Sequence, residues 1–197
     1  MLDAHRIIII PNFISDDDLL QISELLDNAE MVKLGVLNDA EVEYSTIRYD
    51  AEIKGNIHLP CRTIDTLDNG ALYKLLDKSV SRIGAEIEKS FGVDVYPEYG
   101  YSITAYVEGD ELNRHFDGAE NIKTPNGNPQ RDISSVLYLN EGFTGGQAVF
   151  NFQGIHISPK AGMLLLFPGT RAFAHSVTKI ESGLRYIVPQ FWAVKNV

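Results

Sequence analysis

The stretch ISSVLYLNEGFTGGQAVFNFQGIHISPKAGMLLLF, residues 133–167, decides the fold class. It holds three short runs rich in β-branched and aliphatic residues: Ile133 to Leu139, Gln147 to Phe152 and Met163 to Phe167. Each has strand length, and none has the length of a helix. Between them stand Gly142, Gly145-Gly146, Gly154, Pro159 and Gly162, residues that turn a chain. The same pattern continues on either side, in Tyr101 to Val107 and in Arg185 to Val194, with Pro168-Gly169 and Gly183 as further punctuation. Many short strands with regular turn signals predict an antiparallel barrel or jelly-roll over the second half of the chain.

The first half reads differently. Arg6 to Phe13 suggests a short β-branched strand ending near Pro11. Ser15 then offers an N-cap, with Asp16, Asp17 and Asp18 at the positive end of a helix dipole and Asp18 in the position of a capping-box acid. Leu19, Ile22, Leu25 and Leu26 give that helix an apolar stripe. A second helix is predicted over Ala71 to Phe91, where Leu72, Leu76, Val80, Ile83 and Ile87 recur at helical spacing and Gly92 follows as a stop. Residues 31–67 read as irregular and polar, with short strands around Tyr44 to Arg48, and Gly118 to Arg131 reads as a loop. The expected fold class is α+β. One domain spans 1–197, residues 1–92 supplying helical support and lid segments and residues 93–197 the β-barrel core.

A chain of 197 residues is long enough to bury a sizeable core. A net charge of -10 argues against nucleic acid as a partner, since phosphate binding needs clustered Lys and Arg. The single cysteine, Cys61, cannot form an internal disulfide, and reads as a buried small hydrophobe in a reducing compartment. No apolar run approaches the roughly 20 residues of a spanning helix, and no signal-peptide pattern opens the chain. The expectation is a cytoplasmic protein without a membrane partner.

Chemistry enters with Asn113-Arg114-His115-Phe116-Asp117. A histidine and an aspartate at i and i+2 share a face if the segment is a strand. Alone this is weak, because 5 histidines and 27 acidic residues in 197 give about 0.7 such pairs by chance. His175 adds weight through Arg185, ten residues on. A hairpin centred near Ile180 would set the two opposite each other on one face. An inward arginine there calls for an anion. Two histidines and one carboxylate on one side of a metal leave positions open for a bidentate co-substrate and O2, the facial triad of non-haem iron oxygenases. A 2-oxo acid chelating such a metal would need a basic partner for its far carboxylate. Arg185 is the candidate, with Tyr138 and Tyr106 as hydroxyl donors. Arg48, Arg114 and Arg131 read as solvated arginines, with substrate contact as the alternative.

Four stretches carry a resemblance: AYVEGDELNRHFDG (105–118), ISSVLYLNEGFTGGQAVF (133–150), SPKAGMLLLFPGTRAFAHSV (158–177) and SGLRYIVPQFW (182–192). From about Ile103 onward the chain resembles the catalytic core of prolyl 4-hydroxylase-type Fe(II)/2-oxoglutarate dioxygenases. The resemblance implies a double-stranded β-helix, with His115, Asp117 and His175 as iron ligands, Arg185 as anchor of the 2-oxoglutarate carboxylate and Tyr138 as a second contact to it. It implies Fe(2+), 2-oxoglutarate and O2, with ascorbate as an accessory reductant. An arginine anchor is similar to the oxygen-sensing and many bacterial members, whereas collagen-type enzymes typically carry lysine. Six residues past the anchor, where such enzymes often place tryptophan, stands Phe191, while Trp192 points the other way. Asp117 fills the place that related halogenases leave small, which disfavours halogenation. The expected reaction is hydroxylation of a C–H bond, first of all in a proline residue of a peptide or protein. A free amino acid or small natural product is the alternative substrate, and a non-catalytic cupin-like sensor or interaction domain the alternative of another class.

Overall fold

The computed structural model of the chain describes residues 6–29, 31–33, 62–64, 70–98, 100–118 and 130–195. In chain order the strands are β1 (Ile8–Ile10), β2 (Met31–Lys33), β3 (Arg62–Ile64), β4 (Val95–Pro97), β5 (Thr104–Tyr106), β6 (Leu112–His115) and β7 (Ile133–Tyr138). There follow β8 (Thr144–Gly145), β9 (Ala148–Phe150), β10 (Ile155–Ile157), β11 (Leu164–Pro168), β12 (His175–Val177), β13 (Ile180–Ser182) and β14 (Arg185–Val194). Helix α1 (Asp16–Asp27) lies between β1 and β2, and α2 (Gly70–Phe91) between β3 and β4. The strands expected around Tyr44 to Arg48 and most of the Gly118 to Arg131 loop lie outside the described residues.

Both helices form where their caps and stripes predict. The Ser15 hydroxyl accepts from the Asp18 backbone N–H at 3.2 Å and so satisfies one of the unpaired donors of α1. The Asp18 carboxylate in turn accepts from Lys78 of α2 at 3.1 Å. Ile22 and Leu26 of α1 and Leu72, Leu76, Val80, Ile83 and Ile87 of α2 are buried. The irregularity expected over 31–67 is interrupted by β2 and β3, which pair with each other and continue the larger sheet through β5.

That larger sheet runs β1-β11-β7-β14-β5-β3-β2, with β4 also paired to β14. A second sheet runs β10-β9-β12-β6, and β13 pairs with β8 in a small ribbon. Side chains alternate across a strand, and here the alternation sorts two cores. Ala105, Ile133, Leu137, Leu164, Leu166, Tyr186, Val188 and Trp192 pack with the helices. Their neighbours Tyr106, Tyr138, Leu165, Phe167 and Ile187 pack instead with Ala148, Phe150, Ile157 and Val177 of the smaller sheet. Two antiparallel sheets closed over a common interior, with helices backing the larger one, make the expected double-stranded β-helix with its helical layer. Trp192 faces the helices, as read: its ring lies against Gly84, where a Cβ would come within 3.1 Å, and its indole N–H donates to Ser135 Oγ at 2.9 Å.

One expectation fails. His175 and Arg185 are not partners in a hairpin. β12 pairs with β6 and β9, β13 with β8, and β14 opens in the larger sheet with Arg185 opposite Tyr106. The chain crosses from one sheet to the other between Val177 and Arg185, so counting back from a shared turn gives the wrong register. The two side chains still converge, because they point inward from sheets that face each other. Among the described residues, no helix is long and apolar enough to cross a membrane.

The packing makes a direct prediction. Leu76 has no exposed surface, whereas Leu20 is 64% exposed. In urea titrations Leu76→Ala is expected to cost roughly 2–5 kcal/mol and Leu20→Ala no more than about 0.5 kcal/mol. Equal losses would contradict the burial of the α2 stripe.

Candidate metal centre

His115 is the last residue of β6 and His175 the first of β12, directly opposite it in register. Asp117 lies two residues beyond β6, where the strand has ended, yet its carboxylate returns to the same point. Asp117 Oδ1 is 3.4 Å from His115 Nε2, and Oδ2 is 4.0 Å from His175 Nε2. Each of the three can offer one donor atom such that all lie within 4.8 Å of one another. The triad is buried, each residue at 7–8% exposure.

What orients these side chains is local. The Nδ1–H of His115 donates to the Asn113 carbonyl at 2.8 Å, and that of His175 to the Phe173 carbonyl at 3.1 Å. A carbonyl only accepts, so the proton is fixed on Nδ1 in both rings and both Nε2 atoms turn toward Asp117. The Ser134 hydroxyl of β7 donates to Asp117 Oδ2 at 2.7 Å. Phe150 and Phe167 flank the His175 ring, with centroids 5.2 and 4.7 Å away.

The electrostatics follow from burial and from this crowding. Burial works to raise the Asp117 carboxyl, but the adjacent His115, the charge of His175 and the Ser134 hydrogen bond outweigh it and hold Asp117 well below the usual carboxylate range. Burial likewise works to lower His115, yet the Asp117 carboxylate keeps it above the ordinary imidazole value. His175 is pushed down to about 4, first by burial and then by the charge of His115. Near neutrality the triad therefore offers an ionised carboxylate and a neutral His175, the forms in which they can bind a cation.

The triad lines a cavity of about 250 Å³ that also takes in Tyr106, Tyr138, Ser134, Arg185, Arg131 and Phe191. Arg185 is 1% exposed, and its Nε and Nη1 have no hydrogen-bond partner among the described residues. Its guanidinium carbon lies 4.4 Å from the Tyr106 ring centroid and 5.3 Å from that of Tyr138. Burial raises both phenols, only partly opposed by Arg185, so both hydroxyls stay protonated and able to donate. Gly146 backs the arginine: at φ 64 it carries no Cβ, which would otherwise meet Ile180 at 2.6 Å and Arg185 Cδ at 3.1 Å.

The structure thus brings together His115, Asp117, His175, Arg185, Tyr138 and Tyr106. Arg114 is not among the residues lining the cavity and stacks on Phe152 at 4.4 Å, and Arg48 lies outside the described residues. Arg131, read from sequence as solvated, lines the cavity with its guanidinium 3.8 Å above the Phe191 ring. Ser134 was missed. Its signal was present: a pair of serines, Ser134-Ser135, inside an otherwise apolar run that the fold buries.

Residues 101–193 match the family model described as the 2OG-Fe(II) oxygenase superfamily. This part of the chain, a little under half of it, is similar to that superfamily. No curated protein matches the chain by sequence. Solved structures do match the chain over most of its length. A viral collagen prolyl hydroxylase from Paramecium bursaria Chlorella virus-1, solved with 2OG, is 20% identical and covers 98% of each chain at a TM-score of 0.60. A prolyl hydroxylase from Trichoplax adhaerens, in complex with a hypoxia inducible factor oxygen degradation domain peptide, is 19% identical, covers 95% of this chain and 83% of its own, and has a TM-score of 0.61. A 2OG-Fe(II) oxygenase-family oxidoreductase from Burkholderia pseudomallei is 17% identical over 95% and 84%, with a TM-score of 0.60. At these identities the likeness establishes the fold. The superfamily's cofactors are Fe(II), 2-oxoglutarate and O2. The residues present fit them: two imidazoles and a carboxylate suit Fe(II), and a buried cation with unpaired N–H groups suits a carboxylate.

A buried cation with two of its nitrogens unpaired is unfavourable. Arg185→Met, which keeps length and removes charge, is therefore expected to unfold in the absence of 2-oxoglutarate at a temperature no lower than wild type by scanning calorimetry. A clear drop in Tm would mean that stacking on Tyr106 and Tyr138 compensates the buried charge.

Proposed function

We propose that this protein is a 2OG-Fe(II) oxygenase that hydroxylates a proline residue in a peptide or protein, with His115, Asp117 and His175 holding Fe(II) and Arg185, Tyr138 and Tyr106 receiving 2-oxoglutarate. One observation carries the reading: three metal-type donors and a buried guanidinium with two unpaired nitrogens open into the same small cavity. Bound iron would couple the oxidative decarboxylation of 2-oxoglutarate by O2, giving succinate and CO2, to insertion of the second oxygen atom into a substrate C–H bond.

The chain's own residues do the rest. The Asn113 and Phe173 carbonyls keep both Nε2 atoms facing the metal position, and Ser134 holds one Asp117 oxygen so that the other is presented. Arg185 takes the far carboxylate of the co-substrate in a charge-assisted pair, with a tyrosine hydroxyl as further donor. Leu165, Phe167 and Ile187 line the cavity and exclude water. Arg131 and Phe191 are half-buried and so mark where the cavity meets solvent. A guanidinium there suits a peptide carbonyl, which supports a substrate residue entering from a chain. The same guanidinium would pair with the carboxylate of a free amino acid, which is the second reading. On this reading residues 1–197 are a single domain, which the hydrophobic core shared by α1, α2 and the larger sheet supports.

Purified protein with Fe(II), ascorbate, 2-oxoglutarate and O2 is to be offered proline-containing peptides, free proline and other amino acids, with succinate and substrate mass followed together. A peptide gaining one oxygen at proline in step with succinate is the expected result. Oxidation of a free amino acid alone would replace it with the second reading. Asp117→Ala and His175→Ala are expected to abolish turnover, and normal turnover by either would sink the ligand assignment. Arg185→Ala is expected to weaken 2-oxoglutarate by roughly 3–5 kcal/mol, since it leaves an anion unpaired in a dry pocket. An unchanged 2-oxoglutarate requirement would refute that role.

A further inference from the structure

Asp117 stands beyond the end of β6, outside its ladder, yet its carboxylate lies 3.4 Å from one imidazole and 4.0 Å from the other. The residue after it is bound to the opposite side of the barrel mouth. The Gly118 N–H donates to the Gly169 carbonyl at 2.7 Å, and the Gly169 N–H donates to the Asp132 carbonyl at 2.8 Å. Three backbone segments therefore meet at one point: the end of β6, the approach to β7 and the exit of β11.

Neither glycine has a positive φ, so backbone conformation does not require them. Contact does. A Cβ on Gly118 would lie 2.7 Å from the Gly169 carbonyl oxygen, and one on Gly169 would lie 2.3 Å from the Arg131 carbonyl oxygen. Both clashes are with backbone, which cannot rotate away as a side chain can. From this junction the site residues radiate. Asp117 precedes Gly118, Arg131 and Asp132 flank the second contact, Ser134 follows two residues later, and Gly169 leads through a 3-10 turn (Arg171–Phe173) to His175.

We infer that the Gly118–Gly169 junction is a positioning device, which sets the Asp117 carboxylate against the two imidazoles and fixes it relative to Arg131. This rests on the metal-ligand roles proposed above. A single methyl at either glycine must part the segments, and the displacement falls first on Asp117. An imposed shift of a ligand or its outer support typically costs 10–100-fold in metal affinity.

Mn(II), a redox-silent substitute for Fe(II), is to be titrated calorimetrically into ligand-free wild type, Gly118→Ala, Gly169→Ala and the core variant Leu76→Ala, with Tm measured for each. The expected result is about a 10–100-fold weaker Mn(II) affinity for both glycine variants, larger for Gly169→Ala, whose clash is closer. Leu76→Ala should keep wild-type affinity despite its lower Tm. Wild-type affinity in both glycine variants overturns the inference, as does an equal loss in Leu76→Ala, which would make the effect one of stability. Gly118→Ala carries the milder clash and guards against misfolding of Gly169→Ala. Failure of both to fold would make the junction a folding element and overturn the inference. Absence of Mn(II) binding in the wild type would instead remove the proposed function, and this inference with it.

Discussion

Everything in this molecule depends on a sheet that is covered on both faces. Strand alternation sends every second residue to the opposite side, so a single strand must serve two cores at once. In β14, Tyr186, Val188 and Trp192 go to the helices, while Arg185, Ile187, Pro189 and Phe191 go to the cavity. In β7, Ile133 and Leu137 go to the helices, and Ser134 and Tyr138 to the cavity. The helical layer is thus no appendage. It covers the face that lets the other face be given over to polar chemistry, and a slip of one residue in either strand would exchange the two.

The polar groups on the inner face are arranged by small, local devices. Two carbonyls, each two residues before its histidine, fix both imidazole tautomers; one serine fixes the carboxylate; one glycine leaves room behind the arginine. Each of these is a contact within the chain, so the fold itself orients the donor set. This is the condition under which binding is tight without costly rearrangement.

Periodicity and turn residues made the barrel and both helices legible, because these follow from local patterns. The facing of His115, Asp117 and His175 was legible only as a resemblance in motif order. Residue spacing alone suggested a hairpin register for His175 and Arg185 that the sheet crossover contradicts. What spacing cannot encode is which sheet a strand joins. The strands β2 and β3 were invisible for a related reason: three residues each, inside a polar region, they are strands because β5 offers an edge. Ser134 could have been found as a polar residue in a run that must be buried. Arg131 could not, since nothing in its neighbours says that it stacks on a ring sixty residues away.

The arginine explains why such a site is confined to the inner face. A guanidinium at 1% exposure with two unpaired donors is tolerated only where the surrounding apolar packing is extensive enough to offset it. Leu165, Phe167, Ile187 and Phe150 form that surround, and the two tyrosine rings soften the field around the charge. Under the proposed function, a carboxylate arriving from solvent satisfies the orphan donors, so co-substrate binding and stability are coupled through Arg185. The ligand that completes the chemistry then also completes the core. An apolar residue at 185 would make a quieter protein, but it would offer 2-oxoglutarate nothing to hold.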